Sequence, residues 1–256
     1  MTPLLKAHGI GKSYGPRIGC TDVSFDLHPG EVLAIVGESG SGKTTLLRCL
    51  SGHLEPSQGR VTYHMRDGRT LSLTDMSEAE RRLLMRTDWG FVHQDAREGL
   101  RMGVSAGANV GERMMAVGAR HYGNIRATAE DWLSRVEIPA ERMDDSPWAY
   151  SGGMRQRLQI ARNLVTNPRL VFMDEPTGGL DVSVQARLLD LIRGLVRKLN
   201  LAAIVVTHDL AVARLLSTRL MVMQQGRVIE TGLTDQVLED PQAPYTQLLV
   251  SSVLQV

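Results

Sequence analysis

An eight-residue loop at positions 37–44 limits what this chain can fold into more than any other feature of its sequence. Its residues follow the spacing of a phosphate-binding loop and are Gly37, Glu38, Ser39, Gly40, Ser41, Gly42, Lys43 and Thr44. The loop lies between an apolar, β-branched run at 32–36 and a segment at 43–51 that we predict to be helical. Glycines let the backbone curl until successive N–H groups face an anion, and the helix N-terminus adds its positive dipole end. We therefore expect Lys43 to reach the β- and γ-phosphates of a nucleotide and the Thr44 hydroxyl to bind Mg²⁺.

A second acidic feature supports a nucleotide site. The apolar run 170–173, which we predict to be a buried strand, ends in Asp174 and Glu175. In folds of this kind, ligands bind at the carboxyl ends of the parallel strands. Asp174 is expected to hold Mg²⁺ through its water shell, and Glu175 to orient the attacking water or accept its proton. An isolated Asp-Glu pair means little, but together with the phosphate loop it indicates nucleotide hydrolysis.

Strand and helix signals alternate along the chain, which indicates an α/β fold with a mostly parallel sheet covered on both faces. The predicted strands are 23–27, 32–36, 89–92, 170–173 and 203–207, together with a pair in 59–73 that turns at Asp67-Gly68. The predicted helices include one that begins at the capping box of Ser77 and Glu80, and one over 182–199.

The stretch from about 96 to 160 has a different character. Strand signals vanish there, and helices are predicted at 105–118, at 126–136 and after Ser151. We interpret it as a helical lobe inserted into the α/β fold, beside a small antiparallel β lobe formed by earlier strands. We expect residues 1–256 to form a single domain.

Composition excludes several other classes of function. The chain carries 29 basic and 28 acidic residues, so it has no general attraction for nucleic acid or anionic lipid. Its two cysteines, Cys20 and Cys49, are too few for a disulfide framework or a four-thiolate iron–sulfur cluster, and we interpret them as buried apolar residues. We predict a cytoplasmic protein without nucleic-acid partners and without direct membrane insertion, because the sequence has neither a signal peptide nor an apolar run of about 20 residues.

A second possible phosphate cradle occurs at Ser151-Gly152-Gly153, immediately before a long helical pattern. The simpler interpretation is a serine N-cap after a loop. The alternative is an anion-binding helix N-terminus. Since one compact site needs only one such cradle, a second cradle suggests contact with a phosphate across a dimer interface.

At this point the sequence resembles the ATP-binding cassette family along its whole length, which implies the P-loop NTPase fold of that family. Ser151-Gly152-Gly153 is similar to the family's signature motif, although Tyr150 stands where the family usually has Leu and Met154 where it usually has Gln. We expect both departures to be tolerated, because the serine hydroxyl and the glycine amides make the phosphate contacts.

The resemblance implies further roles for residues of this sequence. Tyr14 resembles the aromatic residue that stacks on adenine, the alternative being an exposed strand tyrosine, and Thr45 extends the ATP-binding loop. Gln94 resembles the glutamine that joins Mg²⁺ to a partner-sensing loop, and Asp181 resembles the acidic residue of a loop that crosses between subunits. His208 resembles the histidine that contacts the γ-phosphate.

The implied protein is thus an ATPase with ATP and Mg²⁺ as cofactors, active as a homodimer or as a heterodimer with a related ATPase. Its catalytic residues are Glu175, His208 and Lys43, and its metal ligands, partly through water, are Thr44, Gln94 and Asp174. A non-hydrolysing scaffold is disfavoured because all three catalytic residues are present.

Two sets of segments bear on the kind of ATPase. The stretches 111–123, 136–139 and 249–255 resemble the ATP-binding subunit of the bacterial phosphonate carbon–phosphorus lyase system, whereas 183–186 and 244–249 resemble ATPases of peptide importers. The first match is broader, so the leading hypothesis is an ATPase subunit of a cytoplasmic lyase complex that degrades phosphonates. The alternative is the motor of a peptide or phosphonate importer.

The charged segment 95–101 suggests where a partner docks. It lacks the proline and the Ser-Leu-Asn-Pro run seen in many peptide-importer ATPases, which is compatible with a soluble partner instead of a membrane subunit. We therefore expect docking on soluble lyase core subunits through residues near 95–115, with Arg97 and Arg101 available to pair with carboxylates of the partner. The alternative is a solvated charged loop.

Overall fold

The computed structural model describes residues 2–253, so the last two positions of the 249–255 match lie outside the described residues. The chain forms two compact units. The first unit comprises Met1–Arg81 and Asn200–Val256, and the second unit comprises Arg82–Leu199. The expectation of a single domain with an inserted lobe at about 96–160 stays a prediction.

The strands, in chain order, are β1 Leu5–Tyr14, β2 Arg17–Leu27, β3 Val32–Val36, β4 Gln58–His64, β5 Thr70–Ser72, β6 Trp89–Val92, β7 Leu170–Asp174, β8 Ala202–Val206, β9 Arg219–Gln224 and β10 Arg227–Leu233. The α-helices are α1 Lys43–Leu50, α2 Glu78–Thr87, α3 Ala96–Gly99, α4 Ala106–Ala116, α5 Tyr122–Arg135, α6 Gly152–Leu164, α7 Val182–Leu199, α8 Leu210–Leu216, α9 Thr234–Glu239 and α10 Pro244–Val253.

The first unit contains the predicted antiparallel β lobe. Its strands follow the order β2-β1-β4-β5. Residues Tyr63 and Leu71 face each other across the predicted pair, and Gly68 takes a positive φ of 86° in the turn between the two strands. The prediction of a hairpin in 59–73 is therefore confirmed. Cys20 of β2 and Cys49 of α1 are buried free thiols, as expected.

Parallel strands form the other sheet of the first unit. Strand β3 pairs in parallel with β8 along one edge and with β9 along the other, and β10 joins β9 antiparallel. All five residues of β3 and of β8 are buried. Such apolar strands match the expectation for a sheet covered on both faces. In the second unit, β6 and β7 also pair in parallel.

Helices dominate the second unit between β6 and β7. Helices α4 and α6 begin where predicted, since Ser105 and Ser151 accept the N–H of the third residue beyond them. Helix α5 begins four residues earlier than the predicted position 126. The reason is His121, whose ring nitrogen accepts the N–H of Asn124 and caps the helix at that point. The sequence analysis had assigned this histidine no role.

The C-terminal part beyond position 207 had no predicted elements, and it completes the first unit. Helices α8 and α10 and strand β9 bury apolar side chains against Ala34 and Val36 of β3, among them Leu210, Val222 and Tyr245. In the described residues, no helix is both long and apolar enough to span a bilayer.

Candidate functional site

The phosphate loop of the first unit begins where strand β3 ends. Gly37, at a φ of 148°, lies so close to strand β9 that a Cβ there would be 2.1 Å from the Met223 carbonyl oxygen. Gly42, at a φ of 102°, lies equally close to β2, and its Cβ would be 2.0 Å from the Gly19 oxygen. No other residue fits either position without moving backbone. The glycines therefore hold the curled loop between two strands.

The loop tip faces solvent, while its ends are fixed. Glu38, Ser39 and Gly40 are exposed, whereas Ser41 and Lys43 are buried. The Ser41 N–H donates to the Glu38 oxygen at 3.1 Å, and the Ser41 oxygen accepts the Gly226 N–H at 2.9 Å. The loop is thus a closed turn, tied to the β9–β10 connection, with a concave backbone of the kind that fits phosphate.

The Lys43 ammonium is folded onto this loop. It donates to the carbonyl oxygens of Gly37 and Glu38 at 2.7 and 2.8 Å. Helix α1 begins at the same residue, and its N-cap, Gly42, has no side chain to cap the first turn. A cation and a helix N-terminus therefore share one concave loop. Both favour an anion, so the donor set fits the phosphates of a nucleotide, as the sequence predicts.

Tyr245 of helix α10 is a residue that the sequence analysis did not connect with the loop. Its buried hydroxyl accepts the N–H of Glu38 at 3.2 Å. The same peptide unit is therefore held from two sides, because Lys43 binds the Gly37 carbonyl. Nothing in the local pattern near Glu38 identifies this partner, which lies 207 positions further along the chain.

Tyr14 and Thr45 both lie next to Gly19. A Cβ at Gly19 would be 2.7 Å from the Thr45 methyl carbon and 3.0 Å from the Tyr14 ring. The ring is 48% exposed, and the Lys12 ammonium lies 5.8 Å from its centroid. The structure thus brings an accessible aromatic face close to helix α1, as stacking on a base requires.

His208 follows strand β8 in the first unit. The Thr207 N–H donates to the Ile35 oxygen at 3.1 Å, which extends the pairing of β8 with β3 by one residue. Asp209 then caps helix α8 by accepting the Ala211 N–H at 2.8 Å. His208 is exposed between these two anchors. Its position is set by the same strand that leads into the phosphate loop.

The second unit carries the acidic residues. Asp174 ends strand β7 and is 6% exposed, and Glu175 follows it in the left-handed region at a φ of 42°. Non-glycine residues in this region store backbone strain, which is frequent at functional sites. The Gln94 amide donates to the Glu175 carboxylate at 3.0 Å. Gln94 and Glu175, which sequence reasoning assigned separate tasks, are therefore in direct contact.

The signature residues begin helix α6. The Ser151 hydroxyl accepts the Met154 N–H at 3.2 Å. In the isolated chain this serine is therefore an N-cap, which is the simpler of the two interpretations. A Cβ at Gly153 would be 2.5 Å from the Val184 side chain, and one at Gly152 would be 3.3 Å from Leu180. The glycines thus let the start of α6 pack against the 180–184 segment.

Asp181 lies at the beginning of helix α7. Its carbonyl accepts the N–H groups of Val184 and Gln185, both at 2.9 Å, and the residue is exposed. Because Gly153 contacts Val184, the signature glycines and the Asp181 loop lie next to each other within the second unit.

The two departures from the family signature share one neighbour, Arg142. Its guanidinium stacks 4.8 Å from the Tyr150 ring centroid and donates to the Met154 sulfur at 3.4 Å. Tyr150 in turn donates its hydroxyl proton to the Arg142 carbonyl at 2.7 Å. Burial raises the pKa of Tyr150 to about 12, so the phenol is neutral at physiological pH. Tyr150 packs inside the second unit and leaves the exposed Ser151 hydroxyl unobstructed.

Arg97 and Arg101, which we expect to be available for a partner's carboxylates, are each paired with a carboxylate of their own chain. Arg97 pairs with Asp95 at 2.6 Å, and Arg101 pairs with Glu112 at 3.2 Å. Asp95 also caps the short helix α3. Both pairs are largely exposed to solvent, so each contributes little to stability.

The amino-acid sequence from 20 to 178 matches the model of the ABC transporter family. The chain belongs to this family. It is an ABC ATPase with the ATP-binding cassette fold, and ATP is its nucleotide. The match begins in strand β2 and includes the phosphate loop, Gln94, the signature residues and the strand that ends in Asp174 and Glu175.

Relatives of this ABC ATPase fall into two groups by name. PhnK of Escherichia coli K12, named as an ATP-binding protein of phosphonates utilization, is 68% identical over 253 residues, which span 99% of this chain and 98% of PhnK. The dipeptide transport ATP-binding protein DppD of Bacillus subtilis is 38% identical over 90% of this chain and 70% of its own length. The dipeptide transport ATP-binding protein DppF of Haemophilus influenzae is 36% identical over 98% of this chain and 78% of its own length.

Solved structures of ABC cassettes have the same fold. A dimeric, post-hydrolysis structure of the cassette MJ0796 bound to ADP and Pi has a TM-score of 0.79 at 28% identity, and the match covers 90% of this chain and 98% of that one. The cbiO1 subunit of the Clostridium perfringens transporter complex cbiONQ has a TM-score of 0.80, with 94% and 92% covered.

Replacing Tyr245 with Phe tests whether helix α10 supports the phosphate loop. The substitution keeps the buried ring and removes only the acceptor of the Glu38 N–H. We expect the Kd for ATP to rise about threefold to tenfold, because a single hydrogen bond contributes on the order of 1 kcal/mol. Fluorescence titration with a labelled ATP analogue measures this change. Leu248→Ala on the exposed face of α10 is the matched control and should leave the Kd unchanged.

Proposed function

We propose that this ABC ATPase is the ATP-hydrolysing subunit of a cytoplasmic carbon–phosphorus lyase complex that degrades phosphonates. The observation that carries the proposal is the 68% identity to PhnK, a phosphonates utilization protein, over nearly the full length of both chains. Identity to the peptide-transport proteins is 35–38%. In the proposed complex, ATP binding and hydrolysis open or reset the assembly, and the radical chemistry belongs to another subunit.

The residues of the site take the following roles in the proposal. Lys43 and the N–H groups of residues 37–45 bind the phosphates, and Tyr14 stacks on adenine. Thr44, Gln94 and Asp174 hold Mg²⁺, partly through water, which neutralises charge on the phosphates when bound. Oxygen donors of this kind are the ones that Mg²⁺ prefers.

Glu175 and His208 complete the catalytic set. Glu175 orients the attacking water or accepts its proton, and His208 contacts the γ-phosphate. The contact from Gln94 to Glu175 supports this assignment, because it holds the carboxylate beside the residue proposed to bind Mg²⁺. The strained backbone of Glu175 supports it as well.

Nucleotide-dependent closure of a dimer is the proposed conformational change. Ser151 and its glycines would contact ATP bound by the opposite subunit, and Asp181 would cross the interface with them. The exposure of Ser151 and Asp181, and their shared neighbourhood within the second unit, support this arrangement. The partner is a second copy of this chain or a related ATPase. The structure of the cassette MJ0796, also a member of this family, is dimeric.

We place the docking surface for the lyase core near residues 95–115. Since Arg97 and Arg101 are already paired within the chain, apolar contact is the better basis for docking. Helix α4 joins this segment through the Arg101–Glu112 pair, and beyond Glu112 it exposes Met115. Met115 is 47% and Val117 43% exposed, an arrangement that suits burial against a partner.

The charge-neutral variant Glu175→Gln tests the ATPase assignment. It keeps an oxygen that can accept the hydrogen bond from Gln94, and it removes the base. We expect the Kd for ATP to stay within about twofold while the hydrolysis rate falls on the order of 100-fold or more. Steady-state phosphate release and ATP titration measure the two quantities. Glu141→Gln, at an exposed position of the same unit, is the control; near-normal turnover of Glu175→Gln would remove Glu175 from the catalytic role.

Docking is tested by placing charge on the exposed apolar pair. Met115→Glu with Val117→Glu should weaken the capture of soluble lyase core subunits at least about tenfold, because burying unpaired carboxylates costs several kcal/mol. Basal hydrolysis by the isolated protein should survive. The experiment is a pull-down from detergent-free extract, with the membrane pellet assayed in parallel and the captured subunits identified by mass spectrometry.

The control for docking is Leu248→Glu, at a more exposed apolar position of the first unit, and this variant should capture the core as wild type does. Equal capture by the double variant would show that this surface is not the docking site. If wild type instead recovered only integral membrane proteins, the importer alternative would replace the lyase proposal.

A further inference from the structure

Strand β6 of the second unit has a strand neighbour on one edge only. It pairs with β7, and in the described residues it is the last strand of its sheet. A buried strand edge carries N–H and C=O groups that need partners. Here the partners are side-chain amides from helix α6. Gln156, Gln159 and Asn163 lie at intervals of three and four residues on one face of that helix, and all three are buried.

The amides pair with alternate residues, Phe91 in the strand and His93 just after its end, as a neighbouring strand does. The Asn163 amide accepts the Phe91 N–H at 3.0 Å and donates to the Phe91 oxygen at 2.9 Å. The Gln159 amide accepts the His93 N–H at 2.6 Å and donates to the His93 oxygen at 3.1 Å. Gln156 adds a second donor to the His93 oxygen at 3.1 Å.

Two glycines, one in strand β6 and one in helix α3, make room for these amides. A Cβ at Gly99 would be 2.3 Å from the Gln159 amide oxygen, and a Cβ at Gly90 would be 3.2 Å from the Asn163 Cβ. The ordinary choice on a buried helix face is an apolar side chain, which needs no hydrogen-bond partner. Three buried amides on one helix face therefore need a reason, and here the reason is that they hydrogen-bond the edge of the strand.

The last residue held in this way immediately precedes Gln94. His93 has both of its backbone groups fixed by Gln159, and the Gln94 amide donates to the Glu175 carboxylate at 3.0 Å. The same helix begins at Ser151, which lies two turns before Gln159. One rigid helix thus carries the signature serine at its start and fixes the backbone that presents Gln94.

We propose that Gln159 is a positioning residue, which sets Gln94 against Glu175 and makes this contact depend on the position of helix α6. Any force on Ser151 moves α6 as a unit, because a helix transmits displacement along its axis. Through Gln159 the displacement reaches His93 and then the glutamine–glutamate contact. The inference rests on the proposed ATPase roles of Gln94 and Glu175 and adds the residue that couples them to the signature helix.

Asn163 offers a matched comparison. It makes the same pair of bonds to the strand as Gln159, but at Phe91, two residues further from Gln94. A merely structural role predicts equal consequences for the loss of either amide. A positioning role predicts that only the loss of Gln159 affects catalysis out of proportion to stability.

The test compares Gln159→Met with Asn163→Leu, two substitutions that keep side-chain size and remove the bonds. We expect similar falls in Tm for both variants and an unchanged Kd for ATP. Gln159→Met should lower kcat on the order of tenfold or more, because small misplacements of catalytic groups have large effects on rate. Asn163→Leu should lower kcat less than about twofold. Gln156→Met removes one donor to the His93 oxygen and the acceptor of a bond from the Gln159 amide. It should have an intermediate effect on kcat, and it replaces Gln159→Met in the test if that variant does not fold.

A double-mutant cycle with Gln94→Ala tests whether the loss of kcat in Gln159→Met is caused by misplacement of Gln94. If Gln159 acts through Gln94, Gln159→Met should cause no further loss of kcat in the Gln94→Ala background. Equal kcat losses for Gln159→Met and Asn163→Leu, or additive losses in the cycle, would overturn the inference. If Gln94→Ala alone left kcat unchanged, the proposed role of Gln94 would fail first, so the two failures are distinguishable.

Discussion

The pairing of strand β3 along both of its edges is the interaction on which the phosphate-binding half of the site depends. Five buried residues, Val32–Val36, form parallel ladders with β8 and β9, and the Gly37 backbone then packs against the end of β9. Because the ladders fix the strand in register, the loop begins at one defined point. His208 follows β8 beside the same strand, and Tyr245 reaches the loop from a helix that packs on β3.

In the second unit, side chains instead of a neighbouring strand fix the backbone that leads into the site. Gln94 follows strand β6, which in the part of the chain that the structure describes has one strand neighbour, so side chains have to satisfy its other edge. The amides of α6 do this without adding a strand, which also protects the edge from pairing with another chain. As a result the helix that starts after Ser151 is hydrogen-bonded to the backbone that leads to Gln94, at Phe91 and at His93.

A feature could be predicted from the sequence when the residues that form it lie close together along the chain. The loop from Gly37 to Thr44 and the Ser77–Glu80 capping box are contained in a few consecutive residues, and the structure shows the closed loop and the reciprocal cap as expected. The helix start at His121 was missed because imidazole caps are uncommon. Tyr245 and Gln159 were missed for a different reason: their partners lie 207 and 66 positions away, so only the packed chain reveals them. The spacing of Gln156, Gln159 and Asn163 on one helix face was a usable signal, since amides are rare on buried faces.

Closure of two chains around ATP is the central claim, and it is tested most directly by the mass of the protein in solution. In the Glu175→Gln background, which keeps ATP bound, we predict a dimer in Mg·ATP and a monomer without nucleotide, measured by light scattering during size-exclusion chromatography. Ser151→Arg in the same background should abolish the dimer by steric and electrostatic conflict at the signature contact, while ATP still binds to the phosphate loop and the fold is retained by circular dichroism. A dimer that persists in the Ser151→Arg variant would contradict the account.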